Sequence, residues 1–183
     1  MAEAWQWPTS SAPATPAQGS IVAVPGIQRS SPEFRQALFE MAARHGWDVD
    51  GLAIAISLES GFDPGAVNPK SGATGLIQWI PKTAEAYGTT TAELGRMTDV
   101  EQVPYIERFF TALLGSGPTP NPTPLPYDYL LLIYTGNAKL VGADPDTVIS
   151  STGEYTEPGQ KTTIRSLWAR AAAQEAKAKG ARI

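Results

Sequence analysis

The chain has 183 residues, of which 42% are hydrophobic and 17% charged, with a net charge of -4, one histidine and no cysteine. This length and apolar content predict one globular domain. The missing cysteines exclude a disulfide scaffold, a thiol nucleophile and cysteine-ligated metal sites, and a single histidine excludes a multi-histidine site. Because acidic residues outnumber basic ones by 18 to 14, nucleic acid is not an expected partner.

The first 31 residues have the composition of a flexible arm. Several prolines lie among many Ala, Ser and Thr residues, and there is too little apolar surface to offset the entropy of ordering the chain. Two features interrupt this pattern, namely Trp5 with Trp7 and the apolar run 21–24. Either could dock on the body of this protein or on a partner. We predict an N-terminal arm over residues 1–31, a candidate attachment segment, and one domain over residues 32–183.

Capping residues predict the first two helices. Ser31 is a suitable N-cap before Pro32, and Gly46 suits a left-handed C-cap, so a helix is expected between them. The second helix is predicted from Asp50, as its N-cap, to about Ser60.

Further elements follow in chain order. The apolar residues 75–80 predict a short helical turn that Pro81 ends, and Thr98 with Glu101 has the spacing of a capping box that starts a helix up to Gly115. The remaining elements are an extended Pro-rich loop, an apolar helix and a C-terminal helix, over residues 115–126, 127–134 and 163–180. Strand patterns are few, so the fold class is mainly α with long loops.

Glu59 has the most unusual predicted setting of the titratable residues. Leu52, Ala55 and Ile56 precede it at helical spacing, so its side chain leaves the same face as apolar residues. An apolar setting and the negative end of its own helix would both raise the pKa of its carboxyl group. A carboxylic acid still protonated near neutral pH is what general-acid cleavage of a glycosidic bond requires. The alternative is that Glu59 only hydrogen-bonds a loop amide at the helix end.

Four blocks of sequence stand in order from this residue onward. They are Glu59-Ser60, Phe62-Asp63-Pro64, Gly72-Ala73-Thr74-Gly75-Leu76-Ile77-Gln78 and Pro81-Lys82-Thr83-Ala84. Together they resemble the lytic transglycosylase domain of the soluble-lytic-transglycosylase type, which is related in fold to goose-type lysozymes. The resemblance covers residues 57–84 and extends through the helix that contains Gln102, with Ile77 in place of the commoner Met. It implies a mainly α, lysozyme-like fold.

The resemblance also implies a role for each matching residue. Glu59 would protonate the oxygen between N-acetylmuramic acid (MurNAc) and N-acetylglucosamine (GlcNAc) in peptidoglycan. Ser60 and the backbone from Gly75 to Gln78 would shape the cleft around the sugar. The amide of Gln78 would donate and accept hydrogen bonds, and Ile77 would supply an apolar wall.

A further family block, Ala-Tyr-Asn-Ala-Gly, is matched only in part by residues 133–137. Tyr134 corresponds to the tyrosine whose hydroxyl reaches the region of the catalytic carboxyl group. Thr135 replaces the asparagine, and Gly136-Asn137 departs from the rest. The far side of the cleft and the substrate preference therefore stay open, and Tyr134 is otherwise a core tyrosine with a satisfied hydroxyl.

Ordinary glycosidases need two carboxyl groups, about 5–5.5 Å apart for retention or about 6.5–9.5 Å apart for inversion. Asp63, Asp99, Glu101 and Glu107 are possible partners for Glu59, but none combines an apolar helix face with a motif, and Asp63 is expected to hold its loop. The resemblance implies that one glutamate suffices. The N-acetyl group of the sugar would stabilise the reacting carbon, and the ionised Glu59 would take the C6 hydroxyl proton to close a 1,6-anhydro ring. No metal or cofactor is implied.

The expected function is therefore that of a peptidoglycan-degrading enzyme, a lytic transglycosylase whose partner is the glycan strand. One alternative is a hydrolytic muramidase on the same scaffold. Others are a structural virion or cell-envelope protein that keeps the fold with little activity, and a cell-wall binding module without catalysis.

The N-terminal sequence also carries an expectation about delivery. Glu3 stands where a signal peptide has a basic residue, and no stretch approaches the roughly 20 apolar residues that span a bilayer. Neither an ordinary secretion signal nor a membrane span is expected. A phage origin fits this pattern, either as a virion component that residues 1–31 attach to other virion proteins or as an endolysin made in the host cytoplasm.

Overall fold

The computed structural model describes residues 24–150 and 161–180. The helices and strands are α1 (Pro32–His45), α2 (Val49–Glu59), α3 (Pro81–Ala86), α4 (Thr91–Leu94), α5 (Asp99–Leu114), α6 (Asp128–Thr135), β1 (Val148–Ser150), β2 (Thr162–Thr163) and α7 (Ile164–Gly180). Two short 3-10 helices add Ile27–Arg29 and Ala138–Leu140. The predicted mainly α class is confirmed. In the described part of the chain, none of the helices has the length and apolar character to span a bilayer.

The central element is α2, which packs against α1, α6 and α7. All of its residues from 51 to 57 are buried. Asp48, not the predicted Asp50, is the N-cap, since its Oδ1 accepts a hydrogen bond from the Gly51 amide at 2.7 Å. Because other elements surround α2, this helix has no single apolar face. The apolar spacing that predicted a buried setting for Glu59 therefore does not identify one side of α2.

The N-terminal ends of α2 and α6 meet closely. A β-carbon on Gly51 would lie 2.5 Å from the carbonyl oxygen of Pro126 and 2.8 Å from the ring of Tyr129. The Asp48 amide donates a hydrogen bond to the Tyr129 hydroxyl at 2.8 Å. Glycine at position 51 therefore allows α6 to pack directly on the central helix.

The capping predictions for α1 and α5 are confirmed. Ser31 Oγ accepts a hydrogen bond from the Phe34 amide at 3.0 Å, and Gly46 ends α1 in the left-handed region with φ of 62°. Thr98 and Glu101 form the capping box that starts α5. These ends depend on neighbours within four residues, which is why the sequence predicted them.

The predicted helical turn over residues 75–80 is wrong. Thr74 and Trp79 exchange two backbone hydrogen bonds of 3.0 and 2.9 Å, and the residues between them form a turn, called here the site turn (75–78). Gly75 and Gln78 have φ of 87° and 52°, values that a right-handed helix excludes. The apolar residues 75–78 therefore form a turn, not a helix, because the residues on either side of them are hydrogen-bonded to each other.

The other boundaries lie close to the predicted ones. The helix predicted over 127–134 is α6, the C-terminal helix is α7, and no helix or strand lies between residues 115 and 127. Neither α3 nor α4 was predicted, and Pro81 begins α3 instead of ending a helix.

Part of the predicted arm packs on the body of the domain. Residues 24–31, called here the docked segment, place Val24 in the core with 1% of its surface exposed. The Ser57 hydroxyl of α2 donates a hydrogen bond to the Pro25 carbonyl at 2.5 Å. Residues 1–23, with Trp5 and Trp7, lie outside the described residues, so their proposed role in attachment stays a prediction.

Candidate active site

Glu59 is the last residue of α2 and is half-buried. The chain turns immediately after it, because Gly61 and Phe62 both have positive φ values, 59° and 63°. For a residue with a β-carbon this conformation costs roughly 1–2 kcal/mol. The Phe62 ring is fully buried and packs edge-on against Phe34, with ring centroids 6.3 Å apart. Burial of such a ring stabilises by roughly 1.5–3 kcal/mol, which offsets the strain and fixes the turn beside Glu59.

Ser60 joins the end of α2 to the site turn. Its hydroxyl oxygen lies 2.9 Å from the Leu76 carbonyl oxygen and 3.2 Å from that of Ile56. A hydroxyl donates one hydrogen and keeps two lone pairs. Ser60 therefore holds the site turn against the C-terminal end of α2. Its hydroxyl oxygen can still accept a hydrogen bond.

The Gln78 side chain folds back onto its own turn. Its Nε2 donates hydrogen bonds to the carbonyl oxygens of Gly75 at 3.0 Å and Ala66 at 3.2 Å. Both amide hydrogens are thereby used, and Oε1 takes no part in these bonds. The amide expected to donate and accept is thus arranged mainly to accept.

Ile77 and Tyr134 are placed differently from the residues above. Ile77 is 3% exposed and belongs to the hydrophobic core, so it offers a ligand very little surface. Tyr134 is half-buried on α6, the helix that packs against α2. Ser60 and the site turn are joined by a hydrogen bond, whereas Tyr134 belongs to a separate helix that packs against α2.

Gln102 on α5 is a positioning residue that was not predicted from the sequence. Its side chain is fully buried. Its Oε1 accepts from the Leu76 amide at 2.9 Å, and its Nε2 donates to the carbonyls of Pro64 at 2.8 Å and Leu94 at 3.1 Å. One amide group therefore links the site turn, the loop after Glu59 and α4.

The neighbouring glycine fits this arrangement. A β-carbon on Gly75 would lie 2.6 Å from Gln102 Oε1. The sequence does contain a signal for the role of Gln102, because it shares helical spacing with the buried Ile106 and Phe109. A polar residue on such a face must find buried partners.

Two of the four candidate partners for Glu59 accept hydrogen bonds from backbone amides. Asp63 Oδ1 accepts a hydrogen bond from the Gly65 amide at 2.9 Å, which confirms that it holds its loop. Asp99 accepts from the Ser31 amide at 2.6 Å and from the Ser31 hydroxyl at 3.0 Å. The two carboxyl groups thus stabilise the loop after Glu59 and the junction of α1 with α5.

The other two candidates are held as ionised groups. The Thr98 amide and hydroxyl lower the pKa of Glu101 below its ordinary value. Burial alone would raise the pKa of Glu107, but hydrogen bonds from His45 at 2.6 Å and Arg44 at 3.0 Å lower it overall. Neither group has the raised pKa that a general acid needs.

Asp128 is a further buried carboxyl group that was not predicted. It is 0% exposed, and burial raises the pKa of its carboxyl group. Its oxygens accept from the Leu125 amide at 2.8 Å and the Trp168 indole at 3.1 Å. The bond to Trp168 joins α6 to α7. Because the Asp128 side chain is fully buried, it cannot contact a glycan strand. Over residues 24–150 and 161–180, no group of three or more His, Asp or Glu side chains could hold a metal ion.

A groove of about 840 Å³ is lined by residues of α1 and α5. His45, Tyr105, Glu107 and Arg108 contribute to its walls, and none of the predicted site residues does. Its one carboxylate is the ionised Glu107. The chemistry expected for this chain therefore points to the surroundings of Glu59 and not to this groove.

Residues 36–103 match the family model described as the transglycosylase SLT domain. The match runs from within α1 to within α5, so it includes Glu59, the site turn and Gln102, while Tyr134 lies outside it. No curated protein and no solved structure matches the chain significantly. Residues 36–103 are therefore similar to a transglycosylase SLT domain, and the mainly α fold agrees with the lysozyme-like architecture of that domain.

Proposed function

We propose that the protein cleaves the β-1,4 bond between MurNAc and GlcNAc, with Glu59 as its only catalytic carboxyl group and a 1,6-anhydro sugar as product. The observation that supports this proposal is that the four other candidate carboxyl groups already accept hydrogen bonds within the protein. Asp63, Asp99, Glu101 and Glu107 each accept hydrogen bonds from other groups of the protein. A two-carboxylate mechanism would need one of them beside the reacting carbon.

The proposed reaction needs one proton donor that later acts as a base. Glu59 gives its proton to the glycosidic oxygen, the bond from that oxygen to C1 of MurNAc breaks, and GlcNAc leaves with a hydroxyl group. The N-acetyl oxygen of MurNAc stabilises the positive charge at C1. Glu59 then removes the C6 hydroxyl proton, O6 bonds to C1, and the acid form is restored. No water is consumed.

The residues around Glu59 would bind and orient the sugar. Gln78 Oε1 would accept a hydrogen bond from a sugar N–H or O–H group, because its Nε2 is already used. Ser60 and the backbone from Gly75 would shape the cleft, with Ile77 supporting the turn from below. Tyr134 would complete the far side from α6.

Glu59→Gln tests the assignment of the acid. The amide keeps the size of the side chain but cannot donate a proton in this way, and general acid–base catalysis contributes typically about 10²–10⁴-fold. We expect the circular dichroism spectrum to stay unchanged while fragment release from purified peptidoglycan falls by about that factor. Glu85→Gln, at an exposed position on α3, is the matched control and should retain full activity. A Glu59→Gln variant with wild-type turnover would show that another group is the acid.

Mass spectrometry of the same digests tests the product. Anhydro fragments are lighter by one water than the hydrolytic ones, and they take up no label from ¹⁸O-water. Labelled, heavier fragments would identify a hydrolytic muramidase on the same scaffold. Complete absence of fragments with the wild-type protein would favour a structural protein that keeps the fold.

A further inference from the structure

The docked segment (24–31) lies against the turn that follows Glu59, although it precedes the family match. A β-carbon on Gly26 would lie 2.5 Å from the carbonyl oxygen of Gly61. Gly26 also has a φ of 91°, a backbone conformation that glycine adopts readily. Glycine is therefore needed at this position both for the space and for the backbone conformation. The backbone of the docked segment therefore packs directly against the turn that follows Glu59.

Arg29 carries a positive charge on this segment. Its Nη1 lies 3.2 Å from the position that a β-carbon on Gly61 would occupy, two residues beyond Glu59. The side chain is exposed, and within the described residues it makes no hydrogen bond or ion pair. Arg35, in contrast, is used to fix the segment, since its guanidinium donates to the Ser30 carbonyl at 2.6 Å.

We propose that Arg29 binds a carboxylate of the substrate strand next to the bond that Glu59 cleaves. A guanidinium group has paired N–H donors whose geometry matches a carboxylate, and such charge-assisted bonds are among the strongest in proteins. In peptidoglycan the carboxyl groups are carried by MurNAc, through its lactyl group and the peptide stem attached to it, and GlcNAc has none. The inference rests on the proposed function for its ligand.

Two carboxylates have this chemistry, and two strand preparations distinguish them. Soluble strands with intact stems carry the carboxylates of the peptide, while their lactyl group is an amide. The same strands treated with an amidase carry a free lactyl carboxylate and no peptide. The site is the same in both cases, and the preparation that depends on Arg29 identifies the source.

The test measures the dissociation constant of each strand preparation in a Glu59→Gln background, so that binding is observed without cleavage. Adding Arg29→Gln should weaken binding of one preparation about tenfold or more, the range expected for a lost hydrogen bond between charged groups. Arg29→Lys should retain part of the affinity, because lysine keeps the positive charge but lacks the paired N–H donors of the guanidinium group. The effect should decrease with added salt.

Arg44→Gln is the matched control. It removes the same charge from the opposite end of α1, about 20 Å along the helix axis, and should leave both dissociation constants unchanged. Equal affinities of the Arg29→Gln and parent proteins would overturn the proposal. An equal loss for both preparations would overturn it too, because Arg29 would then contact the sugar. Failure of the proposed function is a separate result, seen as wild-type protein that releases no fragments.

Discussion

Gln102 illustrates how one buried side chain can position several backbone segments around a site. Its amide bonds to the backbone of Pro64, Leu76 and Leu94 in the interior, where unpaired polar groups cost roughly 1–3 kcal/mol each. Gln102→Met keeps the length of the side chain and removes all of these bonds. We expect a lower melting temperature and a fall in peptidoglycan turnover of about tenfold or more at a temperature where the variant is folded.

Leu167→Ala is the control for this prediction. Leu167 is fully buried on α7, and its truncation costs roughly 2–5 kcal/mol without changing the site turn. Thermal unfolding and fragment release are measured for both variants. If the two variants lose stability and activity in the same proportion, the role of Gln102 is structural alone.

Asp128 makes stability depend on pH in a defined direction. Burial raises the pKa of its carboxyl group in the folded protein, although the donors Leu125 and Trp168 act in the opposite sense. An acid with a higher pKa folded than unfolded contributes stability below its unfolded pKa, and this contribution is lost as pH rises through the folded pKa. The melting temperature of the wild type relative to Asp128→Asn should therefore fall as the pH rises above about 4, the ordinary pKa of an aspartate. A difference that grows with pH would contradict this.

At the scale of elements, the site turn depends on glycine at position 75. Gly75 and Gly88 both have positive φ, 87° and 77°, so alanine strains either one by roughly 1–2 kcal/mol. Only at Gly75 would the new β-carbon also meet Gln102, whereas nothing lies within 4 Å at Gly88. We expect Gly88→Ala to lose about 1 kcal/mol and keep its activity.

Gly75→Ala should lose more stability and reduce turnover about tenfold or more, because the Gln102 amide must move and release the Leu76 amide. Denaturant unfolding and fragment release measure both effects. Equal behaviour of the two alanine variants would show that the close contact at Gly75 has no consequence.

The central helix shows where pattern analysis reaches its limit. Apolar spacing correctly indicated that α2 is buried and that Glu59 lies at its end. It could not indicate that the helix is enclosed on all sides, because α6 and α7 come from residues far along the chain. The motif after Glu59 was needed to propose a chemistry for it.

At the scale of the whole molecule, the packing of the docked segment determines which part of the predicted arm can be deleted without loss of stability. Deletion of residues 1–31 removes Val24 from the core, and burial of a valine stabilises by roughly 1.5–3 kcal/mol. We expect this deletion to lower the melting temperature and reduce peptidoglycan turnover. Deletion of residues 1–23 should preserve wall digestion and, if these residues attach the protein to a particle, abolish incorporation. Equal melting temperatures for the two deletions would contradict the structural role of the docked segment.

The sequence by itself determined the features that depend on near neighbours. The ends of α1 and α5 follow from caps within four residues, and the blocks after Glu59 indicated the family whose model matches residues 36–103. Only the tertiary structure decided that Gln102 reaches Leu76 across 26 residues of sequence and Pro64 across 38, and that Pro25 meets Ser57 across 32. The physical reason is that such bonds form between groups that become neighbours only when the chain packs, so no local pattern contains them.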